Sequence, residues 1–264
     1  MRRRVGTGPP RLLVVLGIVG LCFLVIPIVG LLARTPWSEL GELLAGEVVL
    51  DALRLSLLAS VAATVISLIL GVPMAFVMAR LEFPGKSLAR GLVLLPLVLP
   101  PVVGGTALLF SLGRRGVFGE PLYGATGLVL PFSIWGVVLA TSFVAMPFMV
   151  ITVEGALRNL DRRYEGAAAS LGASRWTVMR RVTLPMVGPS LLAGIALTWA
   201  RAFGEFGATV TFAGNLAGRT QTLPLAVFVA LERDREVAVA ISLLMVVVSL
   251  LVLVALRDRW WRPS

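Results

Sequence analysis

The chain has 264 residues, of which 58% are hydrophobic and only 14% charged, with a formal charge of +10. Soluble domains average about a quarter charged residues, so this composition excludes an ordinary soluble domain and points to a protein held in lipid. Histidine is absent and Cys22 is the single cysteine, which removes the commonest metal ligand and general base and any intrachain disulfide.

Six apolar runs are long enough to cross a bilayer, which takes roughly 20 residues. The first, Leu12–Leu32, follows Arg2, Arg3, Arg4 and Arg11. A basic cluster before an apolar run also begins a signal peptide, but this run exceeds an ordinary signal core and lacks a small-x-small cleavage site, so it reads as a span. The next loop sets Arg34 against Glu39, Glu42, Glu47 and Asp51, a net charge of −3. The second span is Leu55–Ala79, followed by Arg80, Lys86 and Arg90 against Glu82, net +2. The third, Leu88–Leu112, leads to Arg114, Arg115 and Glu120, and the fourth is Gly127–Ile151. A long loop then carries six arginines (158, 162, 163, 175, 180 and 181) against Glu154, Asp161 and Glu165. The fifth span is Val187–Phe212, followed by a charge-balanced loop, and the sixth is Val237–Leu256. The tail sets Arg257, Arg259 and Arg262 against Asp258.

Basic loops alternate with acidic or neutral ones, apart from Arg114 and Arg115. The positive-inside rule therefore places both termini in the cytoplasm. Scattered over one set of loops, the basic residues set topology and form no nucleic-acid patch. The expected fold is all-α, a single polytopic domain over residues 1–264 with six transmembrane helices.

Catalytic signals are weak. Phe83-Pro84-Gly85-Lys86-Ser87 ends like a phosphate-binding loop, but Arg80 stands where the first glycine belongs and an apolar span precedes it instead of a strand. A cytoplasmic turn fits better, so ATP hydrolysis is not expected in this chain. No G-x-S-x-G elbow occurs, and no aspartate falls inside a span. Arg201 and Glu205 stand four residues apart near the end of the fifth span, where each ionised group costs on the order of 2.5–3.5 kcal/mol at mid-bilayer. They read either as a structural ion pair or as part of a polar translocation pathway or its gate. Pro73, Pro96, Pro100, Pro101, Pro131 and Pro147, with Gly104, Gly105, Gly194, Gly204 and Gly207, punctuate the spans. Such breaks are tolerated where protein or water satisfies the freed backbone.

The most informative segment is Tyr164–Pro185, YEGAAASLGASRWTVMRRVTLP. It is charged, rich in small residues and far longer than a connector needs to be. Ala167, Ala168, Gly172, Val182, Leu184 and Pro185 fall on the spacing E-A-A, three residues, Gly, nine residues, a branched aliphatic residue, any residue, Leu-Pro. In this the chain resembles the permease subunits of ATP-binding-cassette importers. Gly166 occupies the motif's Glu position, with Glu165 one residue earlier. Leu94–Gly105, Glu154–Ala156 and Arg201–Pro224 are similar to the molybdate permeases, and less closely to their sulfate and thiosulfate relatives.

The resemblance implies a type I importer permease in the cell membrane, with cytoplasmic coupling helices at about 154–185. It implies a homodimer, two copies of a separate cytoplasmic ATPase that holds ATP and Mg, and an extracytoplasmic molybdate-binding protein. Glu165, Gly166, Ala167, Ala168, Gly172, Arg175, Trp176, Val182, Leu184 and Pro185 would be the ATPase-coupling residues, with no cofactor or metal in this chain. Asn215–Pro224 and the Arg114–Arg115 loop are candidates for contact with the binding protein, or ordinary solvated loops. Tungstate or sulfate is the alternative cargo, and a passive anion channel the alternative of another class.

Overall fold

The computed structural model describes residues 10–260. The basic residues expected to hold the two ends in the cytoplasm, Arg2, Arg3 and Arg4 with Arg257, Arg259 and Arg262, lie outside the described residues or side chains, as does Asp258. The described chain is helical, in the order α1 (Arg11–Arg34), α2 (Leu40–Ala45), α3 (Glu47–Arg80), α4 (Lys86–Val98), α5 (Pro101–Leu112), α6 (Gly119–Thr126) and α7 (Ile134–Asn159). It continues with α8 (Arg162–Ser170), α9 (Arg175–Val178), a π-helical turn (Met179–Thr183), α10 (Leu184–Phe203), α11 (Gly207–Phe212), α12 (Leu223–Arg233) and α13 (Arg235–Trp260). Five helices are long and apolar enough to cross a membrane, and six if the bent pair α4–α5 is one span. This is a multi-pass membrane protein.

The centre is built from α3, α7 and α10, which pack on one another more extensively than any other trio. The buried face of α3 is small: Ala52, Ser56, Ala59, Ser60, Ala63, Thr64, Ser67, Gly71 and Ala75 recur at helical spacing. Small residues let helix backbones approach closely in lipid, where van der Waals packing drives association. At Gly71 the approach is tight, since a Cβ there would lie 3.3 Å from Met149 Cγ and 3.4 Å from Val150 Cγ2. A second apolar centre gathers Val49, Trp199, Phe203, Leu223, Ala226 and Ile241 from α3, α10, α12 and α13, with the Trp199 and Phe203 rings stacked at 4.9 Å. By contrast, α1 touches the bundle mainly through α13 and buries none of its residues.

Three expected spans depart from their sequence outline. Leu88–Leu112 is two helices meeting at 117°. Leu99 and Pro100 each precede a proline, which disfavours the helical conformation, and both are extended (ψ 136° and 132°). Each arm is only about 18–20 Å long, short of the roughly 30 Å hydrocarbon core. The fourth span begins at Ile134 rather than Gly127. Gly127 (φ +71°) ends α6, and the Ser133 hydroxyl caps α7 by accepting from the Gly136 N–H at 3.2 Å. The fifth starts earlier and stops sooner. Its helix runs from Arg175 to Phe203, breaks at Gly204–Phe206 and resumes as α11. The π turn lies just before Pro185, which lacks an N–H and crowds the carbonyl one turn back. Widening the turn accommodates the ring, and the Leu184 N–H donates five residues back, to the Met179 carbonyl.

Candidate functional site

The segment singled out by its spacing forms two short helices, α8 and α9, beside the end of α3. Asp161 caps α8, its carboxylate accepting from the Arg163 N–H at 2.9 Å. Gly172 ends α8 at φ +83°. The Gly172 N–H donates to the Ala169 carbonyl at 3.0 Å and the Ala173 N–H to the Ala168 carbonyl at 3.1 Å. That pair of bonds closes a Schellman turn, which needs a left-handed residue and so favours glycine. Ser174 then caps α9, accepting from the Thr177 N–H at 3.2 Å. The motif's glycine is therefore the corner that turns α8 into α9.

The outer face of this corner is apolar and open: Leu171 is 89% exposed, Trp176 71% and Tyr164 57%. Gly166, Ala167, Arg175 and Pro185 are exposed, while Ala168, Val182 and Leu184 are partly covered. Cβ atoms built at Gly166 and Gly172 meet nothing within 4 Å. Glu165 points the other way. Its Oε1 accepts from Arg80 Nη2 at 2.9 Å and from Thr183 Oγ1 at 2.7 Å. Arg80 and Thr183 were not singled out by the sequence, because Arg80 reads as a topology-setting charge and Thr183 as a spacer. A second ionic cluster lies at the end of α7, where Glu154 pairs with Arg90 and with Arg158 at 3.1 Å. In the adjoining turn, the Lys86 ammonium 2.8 Å from Glu82 holds that exposed carboxyl below its ordinary range, chiefly by hydrogen bonding and charge.

Arg201 and Glu205 form the expected pair, with Arg201 Nη1 2.5 Å from Glu205 Oε2. Glu205 is 2% exposed, and its other oxygen accepts from the Ala208 N–H at 2.7 Å. The carboxylate therefore bridges the break between α10 and α11, neutralising a charge on one side and satisfying a free amide on the other. Facing this break are the first residues of α5. A Cβ at Gly207 would lie 2.8 Å from Pro101 Cβ, and one at Gly105 would lie 2.7 Å from the Ala208 carbonyl oxygen. The two stretches Leu94–Gly105 and Arg201–Pro224, far apart in sequence, thus meet at bare backbone.

The candidate contact loops divide. Within Asn215–Pro224, Thr220, Gln221 and Thr222 are buried, and only Leu216–Arg219 is exposed. That tip borders a cleft of about 500 Å³ with Asp51, Arg54, Ser133 and Trp135. Arg114 is drawn onto α6, 4.5 Å over the Tyr123 ring and donating to its hydroxyl at 3.0 Å. Among the described residues no cluster of His, Cys, Asp or Glu suits a metal.

Residues 67–260 match the family described as binding-protein-dependent transport system inner membrane component. The chain belongs to this family. It is 45% identical over 253 residues to the molybdenum transport system permease protein ModB of Mycobacterium tuberculosis, covering 96% of each chain. It is 35% identical over 226 residues to the sulfate transport system permease protein CysT of Escherichia coli, covering 85% of this chain and 81% of that one. Among solved structures, it resembles a chain of a bacterial ABC transporter involved in the import of the acidic polysaccharide alginate, with a TM-score of 0.75 at 17% identity over 96% of this chain and 94% of that one. The fold is that of an ABC importer permease, and the family's members are transport components rather than enzymes.

Proposed function

We propose that the chain is the transmembrane permease subunit of an ATP-driven molybdate importer, carrying the oxyanion into the cytoplasm by alternating access. The observation that carries the cargo is the near end-to-end similarity to a molybdenum permease, closer than that to a sulfate permease. Sulfate is accordingly the second reading. The chain works as a homodimer with two ATPase subunits and an extracytoplasmic molybdate-binding protein, its termini in the cytoplasm. ATP and Mg belong to the ATPase, consistent with the missing phosphate-binding loop here.

The coupling surface is the exposed corner bearing Leu171, Trp176 and Tyr164, with Gly166, Ala167 and Gly172 leaving room for close approach. Aromatic anchors of this kind are favoured at interfaces. ATP draws the ATPases together, the corner follows, and the bundle opens to the side where the loaded binding protein sits. Such coupling requires each ligand to bind the two states unequally. The tip Leu216–Arg219 with its cleft is the contact offered to the binding protein.

The test is uptake into proteoliposomes holding the permease and ATPase, with purified binding protein outside. Labelled molybdate is expected to accumulate only with internal ATP and external binding protein, with tungstate competing and sulfate not. Equilibration of the label across the membrane without ATPase or ATP would identify a passive channel, and preferential sulfate uptake would favour the second reading.

A further inference from the structure

α8 packs on α9 and on the π turn, but a cavity of about 530 Å³ separates its inner face from the end of α3. Phe76, Arg80, Glu165, Ala169, Met179 and Thr183 are among its walls. Across this gap, Arg80 and Glu165 make the one hydrogen-bonded ion pair that joins α8 to α3 among the described residues. The same carboxylate oxygen accepts from Thr183, the last residue of the π turn, which is 2% exposed. The Arg80 and Glu165 side chains are only 11% and 21% exposed. Charge-assisted bonds shielded from water are stronger than surface pairs.

We propose that Glu165 is a positioning residue for energy coupling: through Arg80 it is the strut that transmits displacement of α8 into α3, with the Thr183 hydroxyl fixing the carboxylate against the π turn. This inference rests on the transport reading above. Apolar contacts cannot do this work across an open cavity, because a gap of even an ångström forfeits much of the dispersion attraction. The adjoining Gly166 faces free space. The chain therefore presents no carboxylate at that outward position, and its acidic residue works inside the subunit.

The experiment measures ATP hydrolysed per molybdate imported, in proteoliposomes with the whole complex. Wild-type protein is measured first, and an absence of ATP-dependent uptake there would overturn the transport reading, not the strut. Given a coupled wild type, Glu165→Ala and Arg80→Ala are each expected to raise the ratio about five- to tenfold, within the usual span of coupling effects. The double variant should do no more than either single, the signature of one shared interaction. Unchanged ratios in both single variants, or additive effects in the double, would overturn the strut. If the alanine variants fail to assemble with the ATPase, Glu165→Gln and Thr183→Val carry the test, each removing one component of the bridge. A normal ratio in both would equally overturn it.

Discussion

Gly172 turns α8 into α9 in a left-handed backbone conformation that side chains rarely adopt. Its place in the spacing motif is visible in the sequence, and its φ of +83° explains why the motif needs glycine. A side chain in the left-handed region costs roughly 1–2 kcal/mol, so Gly172→Glu should loosen the corner. Hydrogen exchange at the Ala168–Ala173 amides is expected to quicken about five- to thirtyfold, and unchanged protection would contradict this account. Glu165 is the opposite case. The sequence shows an acidic residue displaced by one position, but not where it points. Its partner Arg80 is 85 positions away, and no local pattern links the two.

At the scale of helices, the apolar runs located the spans because lipid burial demands continuous hydrophobicity. The breaks carry no comparable signal. Pro100, Pro101 and Gly204 are conspicuous, yet prolines and glycines also occur in unbroken membrane helices, so their presence does not determine an angle. What decides the α10–α11 break is Glu205, which pairs with Arg201 and caps the Ala208 amide. Glu205→Gln keeps the acceptor but strands the arginine charge, a loss on the order of 2–3 kcal/mol for a partly buried pair. Membrane insertion should be intact while the thermal midpoint of the purified protein falls by several degrees. An unchanged midpoint would show the pair to be energetically idle.

For the molecule as a whole, stability depends on the small-residue seam between α3 and α7. Gly71→Leu would push a branched side chain into Met149 and Val150, and overpacking of this kind costs about 1–3 kcal/mol. A lower yield of monodisperse protein in detergent is expected, and normal yield and midpoint would mean that the seam opens easily. The seam also holds α3 as one continuous helix of 34 residues, about 51 Å from end to end. At one extremity it borders the cleft shared by Asp51, Arg54 and Arg219, and at the other it ends in the guanidinium held by Glu165. Tilting such a rod by about 5° around its midpoint swings each tip by about 2 Å, in opposite directions. Events at the two ends of α3 are thereby joined by a single helix, in which Pro73 is the one position whose backbone lacks a donor.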